Sequence, residues 1–433
     1  MTCVIPRSRA TRNLRFASSR FLASLGMTIL VSCSTRAPNR AVHDVPEDRN
    51  YADRIVRVAL QAGSPIVGAT KDFQWFAPDG HTLLTTAHGE WRLERDDQRI
   101  RAVRTDGSVA IPWGAGFVAR PMQDGILTLD GKRYRGEISV TAGDSDMLIV
   151  NRLPLELYVR GVVGVEMGDR AREELAALQA QAIASRSFAL TRLKTTGLFD
   201  LRATTQDQAY RGMEAENDLA TEAVRSTRGQ ALIFGGHVVD APYSAACGGT
   251  TASPAEAWGS NGASYLLQVS DRIGTGDHYY CDIAPQFNWS RSLDATRLNA
   301  ALDRYLAQYA SGNAAAHPGA ARVIAIKERT STGRVAALEI ETDRGIYTVR
   351  GDNARYVLRD PGGEILRSTY FSVEPEYGRD GHVARVTLKG HGNGHGVGMC
   401  QWGAIGRARA GQDYRTILRT YYPGTTIGLA PAE

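Results

Sequence analysis

Apolar and polar positions divide the chain into stretches of period two and stretches of helical period. Between Arg54 and about Val150, short β-type runs at 55–60, 91–95, 125–129 and 147–150 alternate with turn formers such as Pro78-Asp79-Gly80 and Asp130-Gly131. That pattern predicts a β-rich lobe of antiparallel pairs. It gathers no catalytic residue types and reads as scaffold or binding surface. From Arg172 to about Lys194, Leu175, Leu178, Ala182, Ala189 and Leu193 share one stripe, with seven alanines between 171 and 190. This predicts a long helix with Asp169 as its N-cap. Just upstream, 157–167 is apolar except for Arg160 and Glu166, so a carboxylate closes an apolar run before a helix start.

Short strands and turns return over 203–290. Leu298, Ala301, Leu302, Tyr305, Leu306 and Tyr309 then predict a second, smaller helical segment at about 293–310, and the runs at 323–326, 335–340, 346–349 and 370–373 predict further strands. The expected fold class is α+β: a β-rich N-terminal lobe, then antiparallel strands packed on a long helix. Residues 389–399 hold five glycines and two histidines in eleven positions. Glycine serves where backbone turns tightly or approaches a ligand closely, so this loop is a candidate site.

The first 33 residues read as an address. Arg7, Arg9, Arg12, Arg15 and Arg20 precede an apolar run at 21–31 that is too short to span a bilayer as a helix, and no acid occurs before Cys33. Leu30-Val31-Ser32-Cys33 resembles a bacterial lipobox, in which Cys33 would be lipidated. Two or three acyl chains there would anchor the body stably to a membrane on the extracytoplasmic side, periplasmic if the organism has two membranes. Residues 34–53, with Pro38 and Pro46, read as a flexible linker. The expected organisation is therefore 1–33 leader, 34–53 linker, 54–150 β-rich lobe and 151–428 catalytic or glycan-binding region.

Composition adds exclusions. At 433 residues and 43% hydrophobic content the chain can bury a large core. Removing the five leader arginines from 51 Lys+Arg leaves 46 bases against 46 acids, so charge gives no argument for a nucleic-acid partner. His-Glu-x-x-His, the Gly-x-Ser-x-Gly elbow and the Walker loop are all missing. His391 and His395 have the spacing of helical metal ligands, but the intervening glycines oppose a helix; a zinc-dependent hydrolase using them or the cysteines is a distant reading.

The motifs have a family resemblance. Leu157-Tyr158, Gly161-Val162-Val163 and Glu166-Met167 are followed by Glu174-Leu175, Ala180-Gln181, Arg186-Ser187 and Ala189, then Asp207-Gln208-x-Tyr210-x-Gly212 and Thr227-x-Gly229. Tyr243 to Cys247-Gly248-Gly249-x-Thr251, the run from Gly394 to Ala404, and Tyr421-Tyr422-Pro423-Gly424-Thr425 complete the series. Together they resemble the sporulation stage II protein D and amidase-enhancer family over roughly 270 residues.

The resemblance implies lytic cleavage of peptidoglycan glycan strands, preferably strands stripped of stem peptides, with Glu166 as the catalytic acid and no cofactor required. One carboxyl suffices chemically, because it can protonate the glycosidic oxygen and then take the proton of the C6 hydroxyl that closes on C1. A hydrolase would need a second carboxylate; none is obvious in the sequence, and Asp207 is the one left open. Arg186, Ser187, Asp207, Gln208, Tyr210, Tyr243, His395 and Gln401 are the expected substrate contacts. An ion pair of Glu166 with Arg160 or Arg186 is the structural alternative. The competing function is a non-catalytic glycan binder that stimulates a cell-wall amidase. Some family members carry zinc, which raises Cys247, His278 and Cys281 as ligands, while a Cys247–Cys281 disulfide or free thiols explain the same residues. Cys400 stands where the family often has serine.

Overall fold

The computed structural model describes residues 54–60, 65–143, 146–312, 315–360 and 362–430. The leader, the lipobox Cys33 and the linker lie outside them. Among the described residues no helix is long and apolar enough to cross a membrane.

The N-terminal β-rich lobe forms as expected, in two sheets. One has the spatial order Leu201–Arg202, Ile55–Leu60, Met147–Pro154, Glu137–Ala142, Gly116–Pro121, Phe73–Phe76 and Leu83–Ala87. Its first pair is parallel and the others antiparallel. The second sheet orders Arg99–Arg104, Trp91–Asp96, Ile66–Ala69, Leu127–Leu129 and Lys132–Tyr134. Asp130-Gly131 joins its last two strands with φ of 50° and 76°, the two left-handed residues that a tight hairpin turn needs. Trp75, fully buried, meets Phe73, Trp91 and Phe117 edge-on at 5.5, 6.3 and 6.1 Å and centres the lobe.

Among the described residues eight α-helices follow: α1 (Leu155–Met167), α2 (Leu175–Leu190), α3 (Asp218–Ser226), α4 (Pro254–Trp258), α5 (Ala295–Tyr309), α6 (Asn353–Val357), α7 (Gln401–Arg409) and α8 (Tyr414–Tyr421). One expectation, the cap of the long helix, is corrected here. The apolar run ending in Glu166 is itself a helix, and Asp169 is not the cap of the next one. A 3-10 turn at Arg172–Glu174 precedes α2, and Glu174 Oε2 accepts from Ala171 N at 3.0 Å. Asp169 instead accepts from Asn217 Nδ2 at 3.3 Å.

The alanines of α2 explain its place at the centre. With Ala177, Ala180, Ala182, Ala184 and Ala189 fully buried, α1, α3, α7 and α8 all pack close against it. One continuous apolar core runs from the β lobe through these helices to Ala430. A separate core collects Leu298, Leu302 and Leu306 of α5 with strands Ala321–Arg329, Val335–Thr342 and Gly345–Arg350, and with the sheet Asn288–Asp294, Val383–His391, Phe371–Tyr377. Asp294 caps α5 by accepting from Arg297 N at 2.9 Å.

Candidate active site

Between the two cores opens a cleft of about 810 Å³. Glu166, Asp207, Tyr243 and Gln401 line it from one side, and Asp352, Arg355 and Arg367 from the other.

Glu166 sits in the last turn of α1, whose glycines set the helix position. A Cβ on Gly161 would meet the Tyr210 ring at 2.5 Å, and one on Gly164 would meet the Ala215 carbonyl oxygen at 1.7 Å. The helix can therefore lie directly on the turn at Gly212–Ala215. Glu166 Oε1 accepts from Ala209 N at 3.0 Å and Oε2 accepts from Gln401 Nε2 at 3.2 Å. Tyr243 also hydrogen-bonds the carboxyl. These three bonds favour the anion, but burial outweighs them and holds the pKa above the ordinary 4.5. The carbonyl end of α1 is an unfavourable place for a negative charge as well.

Two chains of hydrogen bonds fix this carboxyl. Tyr158 donates to Gln208 Oε1 at 3.1 Å, and Gln208 Nε2 donates to the Tyr243 hydroxyl at 2.9 Å. On the other side Gln401 Nε2 also donates to Gln181 Oε1 at 3.3 Å, while Gln181 Nε2 donates to Ser185 Oγ at 2.9 Å. Each buried amide thus has partners, as buried polar groups require.

The sequence candidates separate into cleft residues and supports. Asp207, Tyr243, His395 and Gln401 reach the cleft with Glu166. Asp207 Oδ2 accepts from Arg202 N at 2.8 Å. Gln208 stands behind Tyr243. Tyr210 is buried and donates to Asn151 Oδ1 at 2.7 Å, so it supports the floor and does not meet a ligand. Arg186 and Ser187 are fully buried away from the cleft, a correction to their expected sugar contacts. Arg186 forms a two-pronged pair with Glu156, both distances 2.8 Å, and is not paired with Glu166. Ser187 Oγ accepts from Leu232 N at 2.9 Å.

The glycine loop also behaves differently from a metal motif. Gly392, Gly394, Gly396 and Gly398 all have φ between 72° and 104°, so the backbone coils too tightly for a helix. His391 Nδ1 is 2.6 Å from Asn288 Oδ1, whereas His395 turns to the cleft wall. His395 Nδ1 accepts from Val397 N at 3.0 Å, and burial pushes its pKa down to about 4, so the ring is neutral near pH 7. Its ring centroid lies 5.1 Å from that of Trp258, at the end of α4. Trp258 lines the cleft and is 47% exposed, an aromatic face that sequence reasoning missed because exposure leaves no trace in periodicity. Gln181 and Ser185 were missed too, although two polar residues four apart on an alanine-rich buried helix are a signal.

His278 is exposed and pairs with Asp282 at 3.0 Å, which removes it from the expected metal set with Cys247 and Cys281.

Comparisons with known proteins place the chain in a family. A family model described as stage II sporulation protein matches residues 143–234, which contain Glu166, and one for a domain of unknown function matches 268–398. An uncharacterized protein of Brachyspira hyodysenteriae is 33% identical over 308 residues, covering 70% of this chain and 74% of its own. The stage II sporulation protein D of Bacillus subtilis is 28% identical over 331 residues, covering 72% of this chain and 84% of its own. The amidase enhancer of the same organism is 28% identical over 339 residues, where this chain spans only 45% of that protein's length. With these matches, the chain belongs to the stage II sporulation protein D and amidase-enhancer family.

Proposed function

We propose that the protein is an extracytoplasmic lytic transglycosylase of peptidoglycan glycan strands, with Glu166 as both acid and base. The observation that supports this most is a carboxyl held by three defined bonds, yet kept above its ordinary pKa by burial, at the wall of a large cleft. A carboxyl in that state is protonated at higher pH than a solvated glutamate, which a general acid requires.

The step balances within one residue. Glu166 gives its proton to the glycosidic oxygen as the C1–O bond breaks. The carboxylate left behind then accepts the proton of the muramic C6 hydroxyl while O6 bonds to C1, giving a 1,6-anhydro end and restoring the acid. Gln401 and Ala209 N hold the two oxygens through both transfers, and neutral His395 offers hydrogen bonding without charge. Half-exposed Trp258 supplies a flat apolar face of the kind on which a sugar ring stacks.

The second reading, favoured by the name of the amidase-enhancer relative, is a glycan binder that stimulates a cell-wall amidase. Glu166→Gln separates the two. A general acid contributes about 10²- to 10⁴-fold, so the variant should lose at least roughly 100-fold of turnover while still binding glycan. An inactive wild type that accelerates an added amidase would reverse the choice.

A further inference from the structure

Behind the cleft wall, three cysteines and an aspartate from distant parts of the chain meet at one point. The donor atoms of Cys247, Asp271, Cys281 and Cys400 all lie within 4.8 Å of one another. None of the four is more than 1% exposed, and no disulfide joins the cysteines. We propose that these four residues hold a structural zinc ion.

Three features of the donor set point to a metal. Cys247 Sγ and Cys281 Sγ are 3.6 Å apart, far beyond a disulfide's 2.05 Å or so. Two sulfurs bound tetrahedrally at about 2.3 Å from zinc would stand roughly 3.8 Å apart. Second, Cys400 Sγ accepts from two backbone amides, Cys247 N at 3.1 Å and Gly403 N at 3.3 Å. Two amides converging on a sulfur suit a thiolate, the form that binds metal. Third, Asp271 uses its oxygens unequally. Oδ1 takes Tyr421 OH at 2.6 Å and the Arg407 guanidinium at 3.0 Å, while Oδ2 faces Cys247 Sγ at 3.3 Å. The carboxylate is oriented from outside and presents one oxygen inward, as second-shell partners of a metal ligand do.

Charge and packing agree. Three thiolates and a carboxylate around a divalent ion leave a net charge of about −2. Two buried arginines flank the cluster: Arg407 on Asp271, and Arg334, which donates to the Cys247 carbonyl at 2.6 Å. Buried arginines without a counter-charge would be costly. Helix α7 closes on the cluster so tightly that a Cβ on Gly403 would reach Asp271 Oδ2 at 2.1 Å. Four protein donors and full burial leave no open position, so the ion is structural. Gln401, which holds Glu166, directly follows Cys400, so the cluster anchors that residue by a route independent of any catalytic reading.

The full chain, purified without added chelator, is predicted to carry about one zinc per chain by elemental mass spectrometry. Cobalt exchanged into it should show thiolate-to-metal charge-transfer absorption. Cys400→Ser keeps an oxygen for the Gly403 amide but loses a strong ligand, so its zinc content should fall at least tenfold, whereas His278→Ala should keep full content. If Cys400→Ser fails to fold, the cobalt spectrum of the wild type still decides. A Cys247–Cys281 disulfide found by mass spectrometry, three titratable thiols with no zinc uptake, or zinc lost from His278→Ala would each overturn the proposal.

Discussion

Gln401 Nε2 lies 3.2 Å from Glu166 Oε2, although 235 residues separate the two in the chain. This bond joins the end of α1 to the start of α7 and favours the carboxylate form of Glu166. Gln401→Ala therefore raises the Glu166 pKa further and frees the carboxyl to rotate. Loss of one hydrogen bond to a charged group costs about 1.5–3 kcal/mol, so kcat should fall roughly 10- to 100-fold. The alkaline limb of the pH profile should move upward. A limb that stays in place would show that the bond does not act on the acid.

The pH dependence is set by Glu166, with His395 as the other shifted group at the cleft wall. Glu166 must be protonated to act, so kcat/KM should fall about tenfold per pH unit above its raised pKa. His395, pushed down to about 4, adds no limb near neutrality. The linkage has the same sign. The folded state holds the Glu166 proton more tightly than the unfolded chain, so stability falls as pH rises through the folded pKa. Glu166→Gln should raise Tm at neutral pH and give no such gain below the ordinary 4.5. Thermal melts at the two pH values check this.

Trp258→Ala should raise KM about tenfold and leave kcat within about twofold, since a lost apolar face is worth roughly 1–2 kcal/mol. Trp258→Phe should recover most of the affinity. Steady-state kinetics on glycan fragments measures both, and an effect on kcat alone would remove the stacking role.

Gly164→Ala tests the seat of the helix. Its Cβ would meet the Ala215 carbonyl oxygen at 1.7 Å, and overpacking of that kind costs about 1–3 kcal/mol. Denaturant melts should show that loss, and turnover should drop with it because Glu166 lies two residues on.

Elements with strong periodicity were legible in the sequence. The strand at 55–60, the Asp130-Gly131 turn and α5 stand where the pattern placed them, since local propensity and burial agree there. The stretch 157–167 was not recognised as helical, because its valines and glycines are poor helix formers and tertiary packing overrides them. Glu166 was legible as a carboxylate isolated in apolar surroundings. Its environment was not: the bonds to Ala209 and Gln401 and the contact of Trp258 with His395 arise from long-range packing. The same holds for Cys400 and Asp271, which join Cys247 and Cys281 where sequence spacing suggested His278.

The most direct test of the central claim is mass spectrometry of the glycan released from denuded peptidoglycan by the full chain, with Glu166→Gln alongside. The wild type should release 1,6-anhydro-muramyl ends, and the variant at least about 100-fold fewer. Reducing ends would mean hydrolysis with a second carboxylate, and no release from the wild type would contradict catalysis by Glu166.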